Sequence, residues 1–503
     1  MTSAPKPFRG NYILGQFVPV KDANGEISSI NPGDLRTAPI RCPFGYEAVN
    51  EAVAAARKSC AAWSRLSLGD RQGAVARYRD ALRKHSETVA RTITEQIGTP
   101  LWETRLEITE TIRLIDFYLN LVPQNSTEHA IAEKDSLKAT VRTHPRGVAV
   151  VVSPAIQPVL DSHNYLIPAL LHGNAVILKS SRHAPFVGQC IAELAHEAGL
   201  PAGTWNIVHG DPEIARRLAC HADVDVVFFT GSYETGLNLR KQVASDFWKT
   251  AVLEMVGKNA MVLWDDCNFD RALEHALVCA FQTTGQRRTT ASRILVHEKI
   301  FDRFVTEFHA LAKKCTVGSG LKGNGAFLGP LMSQDAMENY VRYQAIALRD
   351  GCEEIMRGKP LEREEKGYYV SPSIHLVTKP DPKSTYQRSE IFGPNAAVYR
   401  VSDLDEAVEI VNHPATGLVG SVYSQKREIF SRFAADAKVG LLHWNIPTLT
   451  STYELPAGGL KKSGNGRPMG RWAWQQCTYP IASWEAETVE PTQAEIPFPR
   501  RNA

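Results

Sequence analysis

The stretch Val224-Asp225-Val226-Val227-Phe228-Phe229-Thr230-Gly231-Ser232-Tyr233-Glu234-Thr235-Gly236 passes from a largely apolar run into a turn and then a helix-forming segment. A short apolar run without strict alternation reads as a strand buried on both faces. Thr230-Gly231-Ser232 then opens a helix, in which Ser232 can cap the first turn and Gly231 lets the backbone approach a ligand. The free N–H groups and positive end of such a helix suit a pyrophosphate, with Thr230, Gly231, Ser232 and Gly236 as candidate contacts. Taken alone, these residues are read more plainly as a capped helix after a strand.

Working outward, the same pattern recurs. Val148 to Val152, Ala175 to Leu178, Trp205 to Val208 and Ala251 to Leu253 are further apolar runs separated by amphipathic segments. Strands buried on both faces and separated by helices predict a parallel, Rossmann-like sheet, although no GxGxxG fingerprint is present. After Asn259 the alternation restarts, with a strand at Ala260 to Leu263, a helix at Asp270 to Gln282 and a strand at Ile294 to Val296. This second unit continues to about Gly440.

Upstream, Tyr12 to Val20 reads as one strand. Val49, Val53, Ala56, Cys60 and Trp63 recur at helical spacing, Asp70 is the expected cap of the next helix, and a third helix from Ser86 stops at Gly98. Ser136 to Thr143 alternates as a half-exposed strand, an arm expected to pair with another subunit or with Tyr479 to Trp484. The segment from Glu490 to Ala503 is expected to lie loosely on the surface.

At 503 residues the chain exceeds one ordinary core and should form two or three domains. A net charge of +3 gives no reason to expect nucleic acid or an anionic membrane as partner. No segment has the ~18 apolar residues of a spanning helix, and the N-terminus does not resemble a signal peptide. Nine scattered cysteines, an odd number without a CxxC pair, predict reduced thiols in a cytoplasmic protein and no metal site.

Several further motifs, in order, resemble those of the aldehyde dehydrogenase superfamily. They are Ile177-Leu178-Lys179-Ser180-Ser181-Arg182, Leu253-Glu254-Met255-Val256-Gly257-Lys258 and Ser389-Glu390-Ile391-Phe392-Gly393-Pro394, with Trp444-Asn445-Ile446-Pro447 and Leu455 to Asn465 around a substrate entrance. The resemblance runs from Tyr12 to Trp484, and Gly466-Arg467-Pro468 is most similar to the succinylglutamate semialdehyde dehydrogenase branch. It implies an α/β fold with a Rossmann-like NAD(P)-binding domain (1–130 and 147–258), a catalytic-type α/β domain (259–455) and a β oligomerisation arm (131–146 and 470–490) that builds a homodimer or homotetramer. It also implies NAD or NADP as cofactor. Lys179 and Ser181 would lie at the adenosine ribose, Glu390 at the nicotinamide ribose and Phe392 beside the ring, with Glu254 as general base.

Four positions depart from that pattern. Arg182 stands where the family has a glutamate; an arginine attracts a 2′-phosphate, which favours NADP, unless it is simply a solvated surface residue. Val256 replaces a glycine and narrows the space beside the nicotinamide. In Pro154-Ala155-Ile156-Gln157-Pro158, Ile156 takes the place of an oxyanion-binding asparagine, with the Gln157 amide one position along. In Thr283-Thr284-Gly285-Gln286-Arg287-Arg288-Thr289-Thr290-Ala291-Ser292-Arg293, similar to the family's Gly-Gln-x-Cys-Thr loop, Arg288 fills the slot of the nucleophilic cysteine.

A guanidinium stays protonated and cannot attack a carbonyl. Cys279, nine residues earlier, reads as a buried thiol. The expected protein has therefore lost aldehyde oxidation, binds its dinucleotide weakly or not at all, and keeps a binding, scaffolding or regulatory role. The alternative is an oxidoreductase acting on a semialdehyde or related substrate by non-thioester chemistry with Glu254 as base. Arg288 would pair with Glu254, bind a small anionic ligand, or point into solvent.

Overall fold

The computed structural model describes residues 7–121, 128–134, 137–321, 325–450 and 453–486. The segment from Glu490 to Ala503 lies outside them. Two seven-stranded sheets dominate. In the first, Thr250–Glu254, Val226–Thr230, Val148–Val152, Ala175–Lys179 and Trp205–Val208 lie side by side in parallel. Their near-continuous burial is what apolar runs without alternation predict. Asn11–Ile13 then joins antiparallel to Trp205–Val208, and Gln16–Val18 closes the edge. The single strand expected from Tyr12 to Val20 is thus a tight hairpin, because Leu14 and Gly15 both take positive φ and reverse the chain.

The second sheet runs in the order Glu353–Met356, Ser373–Val377, Asn395–Val401, Arg293–His297, Ala260–Leu263, Val419–Tyr423 and Leu441–Trp444. It is parallel apart from the first pair. It extends past Gly440 because Leu441–Trp444 adds an edge strand beside Val419–Tyr423.

Helix Glu47–Arg65 buries Val49, Val53, Ala56, Cys60 and Trp63 as its periodicity predicts. The next helix, Leu68–Lys84, is capped by Ser67, whose Oγ accepts the Asp70 N–H at 3.1 Å. Asp70 sits inside the first turn, where its carboxylate accepts the Ser67 hydroxyl at 2.6 Å. Helix Ser86–Ile97 ends at Gly98 with φ 85°, a left-handed position in which a Cβ would collide with Pro330.

The arm pairs as expected within the chain. Thr478–Ala486 runs antiparallel to Leu137–Pro145 over nine positions, Tyr479 opposite His144 and Trp484 opposite Ala139, and Glu128–Lys134 completes a three-stranded sheet. All nine cysteines are free. Among the described residues no helix is long and apolar enough to cross a membrane.

Candidate functional site

In open parallel sheets ligands gather beyond the carboxyl ends of the strands. Here Val152, Lys179 and Thr230, each the last residue of its strand, line one cavity of about 700 Å³. Ile156, Ser181, Arg182, Gly231, Ser232, Val256, Arg288, Glu390 and Phe392 line it as well. The residues singled out from sequence for catalysis or cofactor binding therefore border this cavity or the chamber behind it, with one exception. Gly236 does not. It lies inside helix Tyr233–Gln242, where a side chain would meet the Met255 Sδ at 2.5 Å, so its smallness serves helix-to-strand packing.

Ser232 caps that helix, its Oγ accepting the Thr235 N–H at 3.3 Å. The Thr230 hydroxyl is held by the Tyr165 hydroxyl at 2.8 Å. Val256 borders the cavity without filling it, and its carbonyl accepts the Ser463 hydroxyl at 2.7 Å.

A second chamber of about 100 Å³ adjoins the first; Gln157, Asp161, Arg287, Arg288 and Thr289 border both. Leu114, Leu160, Leu418 and Leu441 give it apolar wall, Asn164, Thr448 and Thr450 are polar, and Glu254 lies on it. Of the segments expected near a substrate entrance, Ala457 and Gly458 line this chamber, whereas Trp444 and Asn445 turn away to bond the Ser424 carbonyl. The later part of the Leu455 to Asn465 segment stitches down the first sheet. The Asn465 side chain bonds the Leu253 N–H at 2.6 Å and the Ala251 carbonyl at 2.9 Å, and the Gly459 N–H reaches Glu254 Oε1 at 3.1 Å.

Arg288 stands at the junction of the two chambers. Its Nη2 donates to Asp161 Oδ2 at 3.2 Å, and its Nη1 lies 3.5 Å from Glu254 Oε2. With only 14% of its side chain exposed, it does not point into solvent. Burial works against its charge, but Asp161, Tyr165 and Glu254 outweigh that, and its pKa is raised. Glu254 moves the other way for an ion pair: burial pushes its carboxyl up to about 7 despite Arg288 and the Gly459 N–H. The two directions agree if Asp161 is the principal partner, since a 3.5 Å contact is long for a hydrogen bond and cannot offset the desolvation of Glu254.

The loop reaches this position along a strained path. Thr283 and Thr284, both buried, have φ of 57° and 54°, a conformation β-branched residues rarely adopt. Glu103 holds the turn by accepting the Thr283 hydroxyl and backbone N–H together with Arg287 Nη2 at 2.9 Å. Gly285 follows at φ 66°, packed so closely on the Gly393 carbonyl that a Cβ would lie 2.0 Å from it. Beyond the turn, Asn259 Nδ2 donates to the carbonyls of Arg288 at 2.7 Å and Thr290 at 3.0 Å, while its Oδ1 accepts the Val419 N–H at 3.1 Å. Gly257 lets the Arg288 carbonyl come close, for a Cβ there would stand 2.4 Å from that oxygen.

Gln157 enters helix Pro158–Leu171 at φ 51°, and Glu107 Oε1 accepts the first free N–H groups of that helix, from Val159 at 2.9 Å and Leu160 at 3.2 Å. Burial pushes Glu107 up to about 7. Glu390 accepts the Gly257 N–H at 3.0 Å and is likewise pushed up to about 7 by burial. Cys279 lies on helix Phe269–Phe281 with no exposed surface, and burial raises its thiol pKa. Among the described residues no cysteine borders either chamber. Among the described residues no group of His, Cys, Asp and Glu is placed to hold a metal.

Sequence reasoning missed Asp161 and Arg216. An acid in a first helical turn reads as a partner of the helix dipole, and Glu213 with Arg216 reads as a surface i,i+3 pair. Only the packing of these helices on the sheet brings them to the cavity.

The chain matches the aldehyde dehydrogenase family over residues 20–481. It belongs to that family. Among curated aldehyde dehydrogenases, it is 34% identical to an N-succinylglutamate 5-semialdehyde dehydrogenase of Chromobacterium violaceum over 88% of this chain and 90% of that one. A counterpart with the same name from Burkholderia mallei is also 34% identical, over 95% and 96%. Solved aldehyde dehydrogenases superpose closely. Gamma-glutamyl-gamma-aminobutyraldehyde dehydrogenase from Burkholderia cenocepacia gives a TM-score of 0.89 at 29% identity, covering 96% of this chain and 97% of that one. Betaine aldehyde dehydrogenase from Staphylococcus aureus, solved with NAD+, gives 0.91 at 25% identity, covering 96% of each. The expected α/β aldehyde dehydrogenase fold is therefore the fold observed.

Proposed function

We propose that this aldehyde dehydrogenase family member has given up NAD(P)-dependent aldehyde oxidation and serves as a binding, scaffolding or regulatory protein. The observation that carries this reading is Arg288, fixed by Asp161 and Glu254 where the two chambers meet, with no cysteine among the described residues bordering either. In the family pattern position 288 carries the attacking thiolate, and a guanidinium has no lone pair to offer in its place. Ile156 supplies no donor to a developing oxyanion, a loss of about 10²–10³ in rate by itself. Glu254, the residue in the general base's position, faces a cation instead of a free path to water.

The residues present fit a dinucleotide. Lys179, the Ser232-capped helix, Glu390 and Phe392 border one continuous cavity, and Val256 does not block it. Bound there, NAD(P) would supply a hydride acceptor. In the second reading, favoured by the Glu254 carboxyl near 7, the chain keeps an oxidoreductase activity without a thioester. Glu254 would then take a proton from an alcohol or hydrated aldehyde, while Asp161 keeps Arg288 in place.

The test is a panel of aldehydes, including N-succinylglutamate 5-semialdehyde, and the matching alcohols, with NAD and NADP, followed at the absorbance of the reduced cofactor. The wild type is expected to turn over none of them, and Arg288→Cys to gain measurable aldehyde oxidation. Wild-type turnover of an aldehyde would overturn the first reading, and turnover of alcohols alone would favour the second.

A further inference from the structure

Where the cavity meets the chamber behind it, hydrogen-bonding capacity of both kinds is left unspent. Arg288 uses Nη2 on Asp161 Oδ2 and Nη1 on Glu254, which leaves its Nε without a partner among the described residues. Arg287 spends Nε on the Thr283 hydroxyl at 2.6 Å and Nη2 on Glu103 at 2.9 Å, and its Nη1 makes no bond among the described residues. The Gln157 side-chain amide does not cap the helix it precedes and is likewise unbonded among them. On the acceptor side, Asp161 gives Oδ2 to Arg288 and keeps Oδ1 unspent. None of these atoms is sealed from the cavity space, and all four residues border both compartments.

The charges at this point are already matched. Arg287 faces Glu103, and Arg288 faces Asp161 and Glu254. Two guanidinium groups therefore meet three carboxylates, or two when Glu254 holds a proton, as its burial encourages. No other cation borders the chamber among the described residues. An entering carboxylate would bring an anion that no unpaired cation is left to neutralise, and an ammonium has nothing with which to accept the guanidinium N–H groups. A primary carboxamide presents both faces without charge, a carbonyl oxygen that accepts and an NH2 that donates. Size sets the rest. At about 100 Å³ the chamber is somewhat smaller than the ~150 Å³ cavity that takes benzene, which limits the group inside to about four to six non-hydrogen atoms. Leu114, Leu160, Leu418 and Leu441 offer that group an apolar wall.

We infer that the junction and the chamber form a binding site for a small uncharged carboxamide. Its carbonyl oxygen accepts from Arg288 and Arg287, its NH2 donates to Asp161 Oδ1, and its short alkyl chain lies on the leucines. This rests on the reading that the chain binds a ligand at the point where the family pattern attacks one. It requires neither a dinucleotide nor an aldehyde.

The experiment is a ligand-observed NMR titration of the full chain, without cofactor, using three probes of one shape: butyramide, butyrate and butylammonium. Butyramide is expected to bind with a Kd on the order of a millimolar, reasonable for six non-hydrogen atoms. Either ion should bind at least about tenfold more weakly. Arg288→Met removes the donors, and Leu441→Trp fills the chamber from a half-buried position on its wall. Each should weaken butyramide by about tenfold or more. If the first variant does not fold, the second decides alone. Butyrate binding as tightly as butyramide would reveal an anion site and overturn the proposal, and equal binding of butylammonium would do so in favour of a cation site. It is overturned as well if butyramide does not bind, or if either folded variant binds it as tightly as the wild type. None of the probes is an aldehyde, so a failure here leaves the turnover panel to decide the fate of aldehyde oxidation by itself.

Discussion

Arg288 is one cation facing two carboxylates at unequal distances. Asp161 is the nearer, at 3.2 Å, and Glu254 sits deeper, with 1% of its side chain exposed. Removing one member of such a cluster leaves an uncompensated charge in a place where water is scarce, which commonly costs about 3–5 kcal/mol. Removing both partners of a pair abolishes that mismatch. We therefore expect Asp161→Ala and Arg288→Ala each to destabilise the protein, and the double variant to lose less than the sum, by roughly 1–3 kcal/mol. Urea unfolding of the four proteins checks this, and strict additivity would show that the pair is a bystander. Glu254→Gln is the useful control, since a carboxyl already near 7 needs little to become neutral.

At the scale of elements, the start of helix Pro158–Leu171 depends on a borrowed acceptor. Its N-cap, Gln157, makes no side-chain cap bond, so Glu107, from helix Leu101–Leu121, receives the orphan N–H groups. Burial raises the Glu107 carboxyl to about 7, against roughly 4.3 in an unfolded chain. Between those values the native state holds a proton that the unfolded chain has released. The resulting stabilisation is full below about pH 4.3 and is lost as pH rises through about 7. Both helix bonds go to Oε1, which glutamine keeps, and an amide does not titrate. The melting difference between wild type and Glu107→Gln should therefore move against the wild type from pH 5 to pH 8, by on the order of 2 kcal/mol. The buried histidines, whose pKa values burial depresses, titrate in both proteins and cancel in the difference. Parallel pH profiles would refute this assignment.

Much at this scale was legible in sequence, because apolar runs and 3.6-residue spacing report burial directly: the sheet strands, the helix over Val49 to Trp63 and the stop at Gly98 all appear where the pattern places them. The cap at Ser67, the hairpin at Leu14 and the position of Asp161 were not. They depend on which of two polar neighbours turns inward, on a positive φ, and on how a helix crosses a sheet, none of which leaves a periodic trace.

For the whole molecule, the arm is the most conspicuous feature. Its central strand is paired on both sides, yet Tyr479, Ile481 and Trp484 remain exposed on the outer strand, with Trp484 at 63%. We expect the protein to be a homodimer or homotetramer by light scattering, and a chain ending at Cys477 to shift to lower mass while keeping most of its helix and strand signal. An unchanged mass would mean that the subunits meet elsewhere.

A different kind of consequence follows from the way Asn259 grips the loop. Its amide binds the carbonyls of residues 288 and 290 and a neighbouring strand, and Gly257 leaves room for the first of these carbonyls. None of those contacts involves a side chain at 288. The path of the chain through this point is thus indifferent to what residue 288 carries. Such a position is free to drift between reagent and counter-ion in a single codon change while the architecture stays inherited, and one scaffold can lose a chemistry, or recover it, without having to learn to fold again.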